Sequence, residues 1–222
     1  MGPMTRSELT DRVVTAMAKI FSRTGRAVLA SVVDPIARSL LRLGVTPNMV
    51  TVAGTVGVVL GSIILGARGY LVAGALVVTF FALTDMLDGT MARMRPRTSN
   101  FGALLDSSMD RIADGAVLGA VIFYLYGQDN PYNGIVAGTI SLAAGQVVSY
   151  VKARAQSLGL DGDVGIAERL ERLIIVGVGG LISGFGADWG LPAALWFLAV
   201  LSVVTIFQRL IHAARTEKAP AA

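Results

Sequence analysis

The chain has 222 residues, of which 54% are hydrophobic and 15% charged, with a formal net charge of +4. A soluble domain carries about 25% charged residues, so this chain is too poor in polar surface for a water-soluble globule. It has no cysteine and a single histidine, His212, which excludes disulfides, thiolate nucleophiles and histidine-rich metal clusters.

The first 28 residues are polar and basic without an apolar core, so no cleavable leader is expected. Residues 1–29 read as a basic extension, weakly amphipathic from residue 8 onward. Over 30–44 the run Val32-Val33-Asp34-Pro35-Ile36-Ala37-Arg38-Ser39-Leu40-Leu41-Arg42-Leu43 alternates apolar and basic positions at helical spacing. Pro35 suits a first helical turn. This predicts an interfacial helix on the inner leaflet, with Arg38 and Arg42 facing lipid phosphates. Six apolar stretches follow, near 48–67, 70–94, 102–126, 132–156, 168–186 and 190–212. Each is close to the roughly 20 residues that cross a bilayer as a helix. The expected fold is an all-α integral membrane protein: six transmembrane helices, one N-terminal interfacial amphipathic helix, and one domain over 30–215. Residues 216–222 form a tail.

The connections alternate in charge. Of the 19 Lys and Arg, all but Arg68 fall on one side of the predicted membrane or within a few turns of it. By the positive-inside rule that side is cytoplasmic, which puts both termini inside a cell membrane. Tyr124, Tyr126, Tyr132, Trp189 and Trp196 fall near the opposite ends, as an outer aromatic belt would. The basic excess thus reads as a membrane flank, and no nucleic-acid partner is expected. Three pairs, Gly57 and Gly61, Gly115 and Gly119, Gly134 and Gly138, are small-residue seams that pack the bundle or mark a dimer face.

Asp85 and Asp88 share one helical face at the inner end of the second stretch, and Asp106 and Asp110 share one at the start of the third. The short connection makes these helices antiparallel neighbours, so all four carboxylates can converge at the inner membrane edge. A carboxylate deep in a span costs about 2.5 to 3.5 kcal/mol on insertion scales, and four together repel unless cations sit among them. Hard oxygen donors without Cys or His suit Mg²⁺ or Mn²⁺. The competing reading is of solvated helix ends paired with nearby arginines. Asp114 continues the same face one turn deeper.

The pattern Asp85-x2-Asp88-Gly89-x2-Ala92-Arg93-x8-Gly102-x3-Asp106-x3-Asp110 resembles, without a departure, the signature of the CDP-alcohol phosphotransferase family. The resemblance extends to the six-helix layout over about residues 30 to 212. It implies transfer of a substituted phosphoryl group from a CDP-alcohol to a second alcohol, with release of CMP. It also implies two bound metal ions. Asp85 and Asp106 would touch both, Asp88 and Asp110 would complete one each, and Asp110 would double as general base. Gly89, Ala92, Arg93 and Gly102 would line the nucleotide pocket, joined by Pro47 and Asn48 of the turn entering the first span and by Ser99. The family usually forms homodimers.

The acceptor turns on a second cluster. Lys152 and Arg154 close the fourth span, Arg169 and Arg172 open the fifth, and Arg209 closes the sixth, all on the side of the aspartates. Together they offer an anion pocket. The stretch Ser149-Tyr150-Val151-Lys152-Ala153-Arg154-Ala155, followed by Gly159 and Glu168-Arg169-x-Glu171-Arg172, resembles the phosphatidylinositol phosphate synthase branch, although Gln156 stands where that branch has Glu. On this resemblance the donor is CDP-diacylglycerol and the acceptor is inositol 1-phosphate. Its phosphate would be held by Arg154, Arg172 and Arg209, with Lys152 supporting and Arg111 close to the base. A phosphatidylglycerophosphate synthase, taking glycerol 3-phosphate, and a membrane cation transporter are the alternatives.

Overall fold

A computed structural model of the chain describes residues 31–95, 99–129 and 131–217. The basic extension at 1–29 and the tail beyond 217 lie outside the described residues. Every regular element within them is helical: α1 at 31–42, α2 (Pro47–Gly61), α3 (Leu71–Ala82), α4 (Thr84–Arg93), α5 (Asn100–Tyr126), α6 (Pro131–Ser157), α7 (Arg169–Gly184) and α8 (Gly190–Glu217). A π-turn, Ser62–Gly66, prolongs α2.

Local chemistry explains where these helices begin and break. Thr46 caps α2 by accepting from the Met49 N–H at 3.3 Å, and Pro47 occupies the first turn. The stretch read as one span over 70–94 is divided at Leu83 into α3 and α4. There Thr84 donates its hydroxyl to the Phe81 carbonyl at 2.5 Å, a local bond that competes with the helical ladder at the junction of the two helices. At the far end of α6 the Leu160 N–H reaches back to the Ala155 carbonyl at 2.9 Å. This helix-ending turn is open to Gly159 because its φ is +74°.

Packing around α5 positions the site. Val117, Leu118, Val121 and Leu125 of α5 meet Val58 of α2, Ala137 of α6, Val176 of α7 and Leu195 of α8 in one core. In lipid there is little hydrophobic drive between helices, so close approach through small residues matters most. A Cβ at Gly57 would run into Phe81, and one at Gly54 into Thr84. One at Gly138 would lie 2.8 Å from Ile122. Two of the three glycine seams therefore pack the bundle, whereas Cβ positions at Gly115 and Gly119 meet no described atom within 4 Å.

Four helical stretches among the described residues are long and apolar enough to cross a membrane: Pro47–Gly66, Leu71–Arg93, Pro131–Ser157 and Gly190–Glu217. The other two stretches expected to span also form helices. However, α5 carries Asp106, Asp110, Arg111 and Asp114, and α7 has only 16 residues. Large apolar side chains face outward along these helices, with Phe80 66%, Phe123 68% and Phe197 58% exposed. A helix facing water would present the reverse.

Candidate active site

Helix α4 carries Asp85 and Asp88, and α5, which carries Asp106 and Asp110, begins a short connection later. Asp88 is buried, and the Thr51 hydroxyl of α2 donates to its Oδ2 at 2.6 Å. It lies within electrostatic reach of Asp85 and Asp106. Asp110 in turn feels Asp85 and Asp106. The four aspartates are thus brought together as their spacing suggested, with Asp106 the most exposed to solvent.

What holds them together here is arginine. Arg169, at the start of α7, pairs with Asp85 and also with Asp110 at 2.8 Å. One turn deeper, buried Asp114 gathers three guanidiniums: Arg172 at 2.7 Å, Arg111 at 3.4 Å and Arg169 at 3.7 Å. Arg111 also donates to Ser149 of α6. Five carboxylates then face three guanidiniums, which leaves two negative charges without a partner. That excess, together with an all-oxygen donor set, fits a hard divalent cation. Among the described residues no three acidic or histidine side chains are already arranged to grip one.

The residues expected to meet a nucleotide lie beside this cluster. Asn48 Oδ1 would be 3.3 Å from a Cβ at Gly102, and Ser99 caps α5 by accepting from the Gly102 N–H at 3.3 Å. Pro47 is buried beneath them. On α4, Arg93 is exposed and donates to Thr90 at 3.0 Å, and its Nη1 lies 3.5 Å from where a Gly89 Cβ would stand. Ala92 lies next to Arg93, partly exposed. The glycines at 89 and 102 thus keep backbone open on both walls.

The predicted basic pocket divides. Arg172 and Arg111 line the cluster through Asp114, and Lys152 pairs with Asp163 and, at 3.8 Å, with Glu168. Arg154 is exposed and turned toward Ser157 of its own helix at 3.4 Å. Arg209 is buried, and all its nitrogens are committed: Nε to the Val164 carbonyl, Nη1 to the Val148 carbonyl and Nη2 to Glu168, each at 2.7 Å. It ties the 158–168 connection onto α6 and α8, and at 2% exposed it is engaged by the protein's own acceptors. Gly165 (φ +133°) lets that connection pass close to α8, since a Cβ there would strike Thr205.

Three contributors went unassigned from sequence. Thr51 carried no signal, because a hydroxyl in an apolar helix more often bonds its own backbone. Arg169 was counted among the bases but not assigned to the aspartates. The third is a cleft of about 620 Å³ between α3 and α7, floored by Val117 and Val121 of α5, which opens at Asp85 and Arg169 and runs to Leu181 and Leu191.

Comparison with known proteins bears directly on this geometry. A model of the CDP-alcohol phosphatidyltransferase family matches residues 44–208, a range that contains every residue of the cluster. The phosphatidylinositol phosphate synthase of Mycolicibacterium smegmatis is 47% identical over 204 residues, covering 90% of each chain. That of Streptomyces avermitilis is 44% identical, covering 97% of this chain and 91% of its own. The crystal structure of Mycobacterium tuberculosis phosphatidylinositol phosphate synthase with CDP-DAG bound superposes with a TM-score of 0.81 at 45% identity. It covers 87% of this chain and 98% of its own. The same protein in complex with manganese and citrate gives a TM-score of 0.81, covering 86% and 93%.

Proposed function

The chain belongs to the CDP-alcohol phosphatidyltransferase family, and on that premise we propose that it transfers the phosphatidyl group of CDP-diacylglycerol to inositol 1-phosphate, giving phosphatidylinositol phosphate and CMP. One observation carries this reading. A carboxylate cluster with excess negative charge, a set of guanidiniums and an apolar cleft meet at the same end of the bundle.

Asp85, Asp88, Asp106 and Asp110 would hold the divalent ions, two Mg²⁺ in our reading with Mn²⁺ as a substitute. Bound there, such ions supply Lewis-acid stabilisation of the diphosphate. The chain's own groups do the rest. Asn48, Ser99, Gly102, Gly89, Ala92 and Arg93 form the two walls for the cytidine diphosphate, with Pro47 fixing the turn that presents Asn48. The cleft between α3 and α7 takes an acyl chain, so the lipid stays in apolar surroundings while its phosphate lies at Asp85. Asp110 accepts the proton of the acceptor hydroxyl as that oxygen bonds to phosphorus and the bond to CMP breaks. Arg172, Arg111 and Lys152 hold the acceptor's own phosphate. Arg209 acts through the connection it braces, and Arg154 stands at the rim.

The same reading places six spans in a cell membrane: α2 with its π-turn, α3 with α4, then α5, α6, α7 and α8. The charges that set α5 and α7 apart from the other four are those of the site. Helix α1 would lie on the inner leaflet, where its exposed Val32, Ile36 and Leu43 meet lipid. Both termini and the site would face the cytoplasm. A homodimer is retained as part of the proposal, tested by mass measurement in detergent.

The test of function supplies purified protein with CDP-diacylglycerol and Mg²⁺ and measures CMP release with inositol 1-phosphate, glycerol 3-phosphate, serine or myo-inositol. Release with inositol 1-phosphate is expected. Release only with glycerol 3-phosphate would reassign the acceptor, and no metal-dependent release with any acceptor would sink the enzyme reading.

A further inference from the structure

Arg169 has an arrangement that a fixed structural ion pair would not need. Its Nη1 sits between Asp85 and Asp110, two of the carboxylates proposed above as metal ligands. Its Nε, on the same guanidinium, is buried without a hydrogen-bond partner. The buried carboxylate oxygen without a hydrogen-bond partner among the described residues is Asp114 Oδ1, and it lies 3.7 Å from that Nε. Buried polar atoms are nearly always satisfied, and the exceptions call for an explanation. Here two orphans of opposite charge face each other, short of hydrogen-bond distance by less than an ångström. Meanwhile Nη1 of the same guanidinium serves two other acids.

We propose that Arg169 is a tethered cation that shares the aspartate cluster with the divalent ion, and that Asp114 is the place to which it withdraws. With its Nη1 on both Asp85 and Asp110, Arg169 offsets the repulsion between those carboxylates. A shift of the guanidinium toward Asp114 satisfies both orphan atoms and frees the two carboxylates together. Asp114 already anchors Arg172 and Arg111, so the withdrawn Arg169 joins the groups proposed to meet the acceptor phosphate. Uptake of the ion and completion of the acceptor pocket are thereby one motion. This inference rests on the metal reading of the four aspartates and extends it to a residue outside that set.

The test measures Mn²⁺ binding, not turnover, by electron paramagnetic resonance of free Mn²⁺ over the purified full-length protein. Removing a competing positive charge from two ligands should tighten Mn²⁺ binding in Arg169→Gln by about tenfold. The same variant should melt lower than wild type without metal and close that gap at saturating Mn²⁺. Arg169→Lys, which keeps the charge but shortens the reach, should change affinity in the same direction by less, and it serves if the Gln variant fails to fold. Asp114→Asn removes the refuge and should weaken Mn²⁺ binding, an effect that vanishes in the Arg169→Gln background. Wild-type binding with no gain in either Arg169 variant would overturn this inference alone. An Asp114→Asn loss undiminished in the double variant would also overturn it. No Mn²⁺ binding by the wild type would overturn the metal reading along with it.

Discussion

Arg209 and Arg169 present the same guanidinium near acidic and carbonyl groups at the same end of the bundle, in opposite conditions. Arg209 is 2% exposed, and each of its nitrogens meets an acceptor at 2.7 Å. Arg169 bonds two carboxylates through Nη1 while its Nε has no hydrogen-bond partner, in a cluster with more negative than positive charge. A fully satisfied buried charge has one good position, because any displacement strands groups that water cannot reach. An incompletely satisfied one has alternatives close by. The first arrangement builds scaffold and the second builds a site. Residue type alone would not distinguish them.

The comparison breaks most directly at Asp110. If it lies on the functional side of this divide, Asp110→Asn should lower turnover by about a thousandfold, the range expected for loss of a general base. The variant's metal-free melting temperature should hold or rise, since a surplus negative charge is gone. CDP-lipid binding should largely persist. Loss of that binding would show that Asp110 serves chiefly to assemble the metal site.

Arg209→Met should do the reverse. It leaves the Val148 and Val164 carbonyls and Glu168 without their donor, at a cost of about 3 kcal/mol in stability. Denaturant unfolding in detergent would read this. The remaining folded fraction should retain metal binding, because no nitrogen of Arg209 reaches an aspartate of the cluster. Loss of Mn²⁺ affinity without loss of stability would erase the distinction between the two arginines.

Thr51 sharpens the boundary between scaffold and site. Its hydroxyl lies 2.6 Å from Asp88 Oδ2 and 3.1 Å from the Pro47 carbonyl, so it links a helix start to a proposed ligand. Thr51→Val keeps the shape and removes the donor. The expected loss is about 1 to 2 kcal/mol, seen both as a lower melting temperature and as weaker Mn²⁺ binding. Thr51→Ser should restore both. A loss in stability alone would place Asp88 with the scaffold.

How much of this was legible beforehand follows from the same contrast. Spacing shows which residues share a helical face, so Asp85 with Asp88 and Asp106 with Asp110 could be paired from sequence, and the short loop made their helices neighbours. The reach of a long side chain across to another helix leaves no period. Arg209 therefore read as one more base in an anion pocket, since its true partners are carbonyls of Val148 and Val164, which any residue would provide. Arg169 was visible as a base but not as a partner of Asp85, 84 residues away. The break at Leu83 was hidden because Thr84 acts on its own backbone, a contact that leaves no pattern in the sequence.

The mildest prediction lies at the outer end of the scaffold side. Asp161, in the connection that Arg209 braces, accepts from the Asp163 N–H at 2.9 Å and faces His212 Nε2 at 3.1 Å. The backbone N–H first, and His212 second, hold its carboxyl below the ordinary carboxylate pKa. A depressed pKa means that the folded chain gives up this proton more readily than the unfolded one does. Its contribution is therefore complete above the unfolded value of about 3.9 and fades as pH falls through the folded value. Asp161→Asn should melt slightly below wild type at pH 7, and the two curves should converge toward pH 3 as the wild-type carboxyl takes up its proton. The group is exposed, so water screens the pair and the gap stays small. Curves that run parallel down to pH 3 would mean that this contact carries no linked proton, leaving Arg209 to hold the connection by its buried bonds alone.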